Sequence, residues 1–356
     1  MSIIITGTGR YIPEVIVGDQ DFLKSTFYNA DGSRITLDSK EIISKLTTIT
    51  GIEQRRYAHE EQRTSDLAFF AAQRAIADAD IDPETLDGII VAQNYGDMAS
   101  GQNQVDQVPC LAARVKHKLK IKNSRCMAFD VLYGCPGWIQ GVIVAQQFLQ
   151  SGYAKRFLVI GSEILSRVSD PHDRDSMIYA DGAAASIIEN IPDMPGAGIL
   201  SVASLSFTRE EIHFIHNAPS FNKAHAPETK YIKMAGRKIY EFALNHVPKA
   251  MKNCMDEAGL DIKDLSKIFI HQANEKMDEA ILERFYKLYG ITDIPQDIMP
   301  MSIHKLGNSS VATVPTLYDL VRKGELGEHQ IKPGDIILFA SVGAGMNINA
   351  IAYKVT

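Results

Sequence analysis

The chain has 356 residues, of which 45% are hydrophobic, and a formal net charge of -6. That is apolar material for a large core and length for two domain-sized halves, which excludes a disordered chain. The acidic balance argues against broad nucleic-acid binding, which needs a strongly basic face, and no apolar run reaches the roughly 18 to 20 residues required to span a bilayer. The four cysteines, Cys110, Cys126, Cys135 and Cys254, have no CxxC spacing, a usage that fits a reduced, cytoplasmic setting better than a secreted one.

In chain order, Ile3-Ile4-Ile5 opens as a strand, and the stretch from Met1 to Gly7 lacks the basic region of a signal peptide. Gly7-Thr8-Gly9 begins like a dinucleotide loop. The third glycine is missing, however, and Pro13 disrupts the helix that must follow, which leaves a nicotinamide oxidoreductase without support. Residues 21–49 are polar and irregular, with a turn at Asn29 to Gly32 and a short helical pattern near 40–46. Thr64-Ser65-Asp66 can cap a helix reaching Asp80, with Leu67, Phe70, Ala71, Ala75 and Ile76 on one face. A strand at Gly88 to Ala92 leads into a loop from Asn94 to Val108, long enough to be functional. The next helix, Pro109 to Leu119, begins a basic cluster of Arg114, Lys116, His117, Lys118, Lys120, Lys122 and Arg125. We read it as a solvated helix end in preference to a surface for an acidic partner.

Cys126 to Leu132 is an apolar run short enough for a buried strand. Gly134 then supplies a tight turn, and Pro136 suits the first position of a helix spanning Gly137 to Gln150. Trp138, Ile139, Val142, Ile143, Val144, Ala145, Phe148 and Leu149 cover more than one face of that helix, so it belongs in the centre of the fold. Cys135 therefore falls at a helix N-terminus, where unpaired N–H groups favour a thiolate. On the local sequence alone the commoner reading is a small core residue, which is what most free cysteines are. A strand at Phe157 to Ile160 follows, then small residues from Tyr179 to Ala185 that run into another strand.

After Ile191 the plan repeats: a strand from Gly198 to Leu205, a long helix from Met234 to Ala258 interrupted near Pro248, and a strand at Lys267 to Ile270 ending at His271-Gln272-Ala273-Asn274. A helix capped by Asn274 extends to Tyr289, a second follows Gly307-Asn308-Ser309-Ser310, and two strands flank Ser341 to Met346. Alternating strands and helices in both halves indicate an α/β fold with two similar units, 1–190 and 191–356. His213-x-x-His216 beside Glu210 and Glu211 is not read as a metal site, because positions three apart on a strand face opposite sides.

Cys135 after a strand, His271 in His-Gln-Ala-Asn and Asn308 in Gly-Asn-Ser-Ser together resemble the Cys-His-Asn machinery of ketoacyl-ACP synthase III, a thiolase-like condensing enzyme. Gly7 to Pro13, Thr50 to Arg56, Gly161-Ser162-Glu163, Asp181-Gly182-Ala183 and the terminal glycine segment look like that family's landmarks, in its order. The resemblance implies a thiolase-like fold with mixed sheets packed around central buried helices. It also implies an acyltransferase of fatty acid or related biosynthesis that forms an acyl-enzyme on Cys135 and condenses it with malonyl-ACP. By the same resemblance the backbone N–H groups of Cys135 and Ala344 form the oxyanion hole, and His271 and Asn308 stabilise the enolate left by decarboxylation. No metal or resident cofactor is implied; the substrates are phosphopantetheine thioesters on acyl carrier protein (ACP) or coenzyme A. The expected assembly is a homodimer.

Two departures from the family pattern shape the expectation. Lys45 and Ile49 stand where many members place the tryptophan and arginine that sandwich the coenzyme A adenine, although Arg174 and Lys276 retain basic positions near the phosphopantetheine carrier and the ACP. Val108 occupies the place of a pocket-closing phenylalanine. A medium or longer acyl donor is therefore expected, with Tyr133 and Trp138 as candidate walls of its path. The alternatives are a ketosynthase/cyclase joining two β-keto acyl intermediates, as in dialkylresorcinol formation, and a catalytically silent partner subunit.

Overall fold

The computed structural model describes residues 2–102 and 104–356; Met1 and Asn103, which fall in the opening stretch and in the loop discussed above, lie outside the described residues. The first half runs β1 (Ile3–Tyr11), β2 (Val15–Gly18), α1 (Ser39–Thr50), β3 (Gln54–Tyr57), α2 (Thr64–Asp78), β4 (Gly88–Gln93), α3 (Leu111–Lys118), β5 (Met127–Leu132), α4 (Gly137–Gln150), β6 (Arg156–Ile164) and β7 (Asp181–Asn190). The second runs β8 (Gly198–Ser206), β9 (Ile215–Pro219), β10 (Lys230–Met234), α5 (Gly236–Glu257), β11 (Leu265–Ile270), α6 (Glu275–Lys287), α7 (Ile303–Leu306), α8 (Thr313–Arg322), β12 (Ile336–Gly343) and β13 (Asn347–Lys354).

One sheet has the order β1-β7-β6-β4-β5 and the other β11-β12-β13-β8. Each is mixed: β4 is parallel to β5 and β6, and β11 to β12, while β7 and β13 are antiparallel to their neighbours. Helices α4 and α8 form the layer between the sheets, and one apolar cluster joins Trp138, Ile139, Val142 and Leu149 of α4 to Phe269, Leu317, Tyr318, Phe339 and Ile351. Helices α2 and α3 cover the outer face of the first sheet, and α5 and α6 that of the second. This is the thiolase-like α/β architecture, with central helices that are largely buried because they are enclosed between the two sheets.

Several sequence expectations need correction. Helix α5 passes through Pro248 without a break. Gly7 and Gly9, discounted above as a dinucleotide loop, lie within β1, which continues through both; a Cβ at either would collide with α2, so the glycines serve strand-to-helix packing. Of the basic cluster, Arg114 pairs with Asp97 and Asp106, Lys118 pairs with Asp66, and Lys116 donates to the carbonyls of Asn123 and Cys126. Internal partners thus take up much of the expected solvated charge. His213 precedes β9 in a turn, where its carbonyl accepts from His216 Nδ1 at 2.9 Å. Among the described residues no helix is long and apolar enough to cross a membrane, and all four cysteines are unpaired.

Candidate active site

The expected nucleophile, Cys135, lies between the end of β5 and the start of α4, with Pro136 as the N-cap. Gly134 and Gly343 allow the facing loop to approach: a Cβ on Gly134 would strike the Ala344 nitrogen, and one on Gly343 the Cys135 nitrogen. Only bare backbone fits this crossing, which sets the backbones at Cys135 and Ala344 side by side. Both residues line a cavity of about 370 Å³ together with Asn94, Tyr95, Leu132, Tyr133, Leu165, Tyr179 and Asn308. That volume falls within the ordinary range of small-molecule sites.

Asn308 enters from the second half. It follows α7, not a strand as the sequence implied, and its backbone bridges to Tyr179 and Ala180. Its Oδ1 accepts the Ser310 N–H at 2.8 Å, which leaves the NH2 group as the end free to donate. His271 follows β11 directly, and its N–H donates to the Ala340 carbonyl at 2.9 Å. It is 4% exposed and sits on the strand-end edge that also carries Gly343 and Ala344, but it does not itself line the cavity.

Burial determines the protonation states. The Cys135 thiol is pushed up to about 11 by desolvation, with the Ser310 hydroxyl and its own backbone N–H pulling it back. Desolvation therefore outweighs the thiolate preference expected at the helix N-terminus, and the resting group is a thiol. Burial lowers His271 to about 4, so its imidazole is neutral at pH 7, and its Nδ1 has no hydrogen-bond partner among the described residues. In a nuclear magnetic resonance titration, the imidazole signal removed by His271→Ala should move near pH 4; a midpoint between 6 and 7 would contradict the buried, neutral side chain.

The remaining sequence-predicted site residues diverge. Tyr133 lines the cavity. Trp138 does not: it is 1% exposed and packs edge-on against Phe339 in the central core, so its expected role as an acyl-path wall is withdrawn. Its place in the first turn of α4 turns the indole toward the second sheet. Val108 is 87% exposed and lies outside the cavity of the single chain. Arg174 and Lys276 are exposed, and neither lines the cavity. Lys45 pairs with Glu41 on the open face of α1, and Ile49 there is 47% exposed.

Sequence reasoning missed the β9–β10 hairpin, which contributes Ile215, His216, Asn217, Ile232 and Met234 to the cavity wall. Its short alternation, Ile215 and Asn217 against Ile232 and Met234, was the available signal. It also missed Ser310, whose φ of +53° is unusual for a residue other than glycine and costs about 1–3 kcal/mol.

Models of 3-oxoacyl-[acyl-carrier-protein] synthase III and of its C-terminal region match residues 129–206 and 255–355. β-Ketoacyl-[acyl-carrier-protein] synthase III of Bacillus pumilus is 32% identical, with 98% of each chain covered. The protein of the same name from Oceanobacillus iheyensis is 32% identical over 99% of each chain. The crystal structure of 3-oxoacyl-[acyl-carrier-protein] synthase III from Aquifex aeolicus superposes with a TM-score of 0.80 at 28% identity, covering 99% of this chain and 100% of that one.

Proposed function

The chain belongs to the ketoacyl-ACP synthase III family of thiolase-like condensing enzymes, and from that premise we propose that it extends a Cys135-bound acyl group with malonyl-ACP by decarboxylating Claisen condensation. Acyltransferase activity and thioester condensation are family properties. The residue roles, donor and partner are our reading, and the observation that carries it is the single cavity walled by Cys135, Ala344 and Asn308. The proposed division at 190/191 puts the nucleophile in one half and the enolate donors in the other.

In the first half-reaction Cys135 Sγ attacks the thioester carbonyl, and the Cys135 and Ala344 N–H groups hold the negative oxygen. Collapse releases the carrier thiol, which takes up the proton lost from Cys135. Malonyl-ACP then loses carbon dioxide. His271 and the pinned Asn308 amide donate to the enolate oxygen while its carbon attacks the acyl group and expels Cys135. A neutral imidazole fills this role with its one proton on Nε2, the nitrogen that would donate to the enolate oxygen.

A medium or longer acyl donor is our reading of Val108 in the place of a phenylalanine, and its delivery on ACP, or as a coenzyme A thioester bound without adenine stacking, fits the exposed, non-aromatic Lys45 and Ile49 positions. Val108 is 87% exposed, and Leu132, the last residue of β5, the edge strand of the first sheet, is 67% exposed. Covering that edge with a second copy would bring the partner's equivalent side chains toward the cavity, and we take the working form to be a homodimer. ACP docking at Lys276 and Arg174 and a cytoplasmic setting complete the reading.

A second reading, condensation of two β-keto acyl intermediates, is favoured by Asn217 and Asn347 in the cavity wall, whose side-chain amides can donate to keto oxygens. Acyl-ACP and acyl-CoA donors from two to fourteen carbons, with and without a β-keto group, separate these readings by intact mass. The first predicts adducts favouring unsubstituted chains longer than about four carbons. Preference for β-keto donors supports the second reading, and acylation confined to two-carbon chains sinks the chain-length proposal.

A further inference from the structure

We propose that the Ser310 hydroxyl is a dedicated hydrogen-bond donor to the Cys135 sulfur, and that Asn94 and Glu163 are positioning residues that aim it. This rests on the reading of Cys135 as nucleophile and adds the groups that set its reactivity.

The arm begins in the core. Glu163 is the next-to-last residue of β6, after Ser162, and is fully buried. Its Oε2 accepts the Asn94 backbone N–H at 2.8 Å and the Asn94 side-chain amide at 2.5 Å. The same amide nitrogen donates to Ser310 Oγ at 3.1 Å, and Ser310 Oγ donates to Cys135 Sγ at 3.4 Å.

The sense of each bond follows from counting donors. A serine hydroxyl has one proton and two lone pairs. Asn94 takes one lone pair, so the proton is left for the sulfur. Asn94 is held against flipping, because turning its carbonyl oxygen toward Glu163 would oppose two acceptors. The carboxyl thus fixes the amide, the amide fixes the hydroxyl, and no proton passes along the arm.

Backbone geometry points the same way. Ser310 is held at φ +53° where glycine would sit without strain, and its N–H fixes Asn308 Oδ1. One residue therefore ties the nucleophile to the Asn308 amide. A position selected for backbone conformation alone would favour glycine; the hydroxyl is what glycine lacks. Asn94, Tyr179 and Ser310 also face the cavity beside Cys135, so the arm ends where substrate enters.

The titratable groups acting on this assembly are few: Glu163 acts on Cys135 and Asp181 acts on Glu163, while Cys135 and Glu163 in turn help to raise the buried phenols of Tyr179 and Tyr95. Burial pushes Glu163 up to about 7, and its charge opposes the thiolate, which makes a donor at the sulfur more necessary.

The test is the rate of iodoacetamide alkylation of the full-length protein between pH 7 and 10, read at the Cys135 peptide by mass spectrometry. In this range the rate follows the thiolate fraction. Ser310→Gly keeps the backbone conformation and removes the donor, so alkylation should fall about tenfold at each pH, the size expected for one hydrogen bond to a charged group. Ser310→Ala should match it, Asn94→Ala should give a smaller loss in the same direction, and the melting temperature of Ser310→Gly should not fall. Profiles of Ser310→Gly and Ser310→Ala that superimpose on that of the unsubstituted protein overturn the proposal. Iodoacetamide requires no acyl donor, so superimposed profiles count against Ser310 alone, whereas failure to form any acyl adduct counts against the proposed function.

Discussion

Cys135→Ala should abolish the covalent acyl adduct and lower condensation on the order of 10⁴-fold or more, since every later step depends on the acyl-enzyme. The fold should survive. Cys135 is half-buried at the head of α4, outside the apolar clusters of the core, and loss of one sulfur atom there should cost about 1 kcal/mol of stability. Thermal melting therefore separates a chemical loss from unfolding. A variant that still forms the adduct, on Cys110 for example, would remove Cys135 from the mechanism. An adduct lost together with a large fall in melting temperature would show that Cys135 is structural, the bland reading that its local sequence left open.

The second large effect concerns the half of the reaction that follows acylation. Asn308→Asp keeps an oxygen to accept the Ser310 N–H, but the other end of the side chain changes from an NH2 donor to an acceptor. An enolate oxygen would then meet a carboxylate instead of a donor. Removing one such donor costs about 10² to 10³ in rate, and the reversed charge adds to it. His271→Ala deletes the companion donor and should fall in the same range. Both variants should still self-acylate, because the expected oxyanion donors of that step are backbone N–H groups of Cys135 and Ala344. Equal loss of acylation and condensation would instead assign His271 or Asn308 to the first step.

The sequence carried the architecture well where apolar patterning was strong. Helix α4 occurs with the predicted limits, and its central burial followed from apolar residues on more than one face. His271 and Asn308 stand out in the sequence through the family resemblance; His271 does close an apolar strand, whereas Asn308 follows the short helix α7, a context that local patterning does not report. What escaped was tertiary. Trp138 was assigned to the acyl path from its nearness to Cys135 in sequence, but one helical turn separates facing the cavity from facing Phe339. The preference for a thiolate came from the helix end alone, whereas desolvation by the surrounding residues, which no local pattern reports, dominates at Cys135. Ser310 looked like one more loop serine; its positive φ and its contact with a cysteine 175 positions away become visible only in three dimensions.

The most direct test is a two-stage intact-mass experiment on the full-length protein. An acyl thioester is supplied, the excess is removed, and malonyl-ACP is then added. The account predicts an adduct of the acyl mass mapping to Cys135, followed by its disappearance with release of carbon dioxide and appearance of β-ketoacyl-ACP two carbons longer than the donor acyl group. An adduct on another residue, or one on Cys135 that persists unchanged after malonyl-ACP is added, would contradict it.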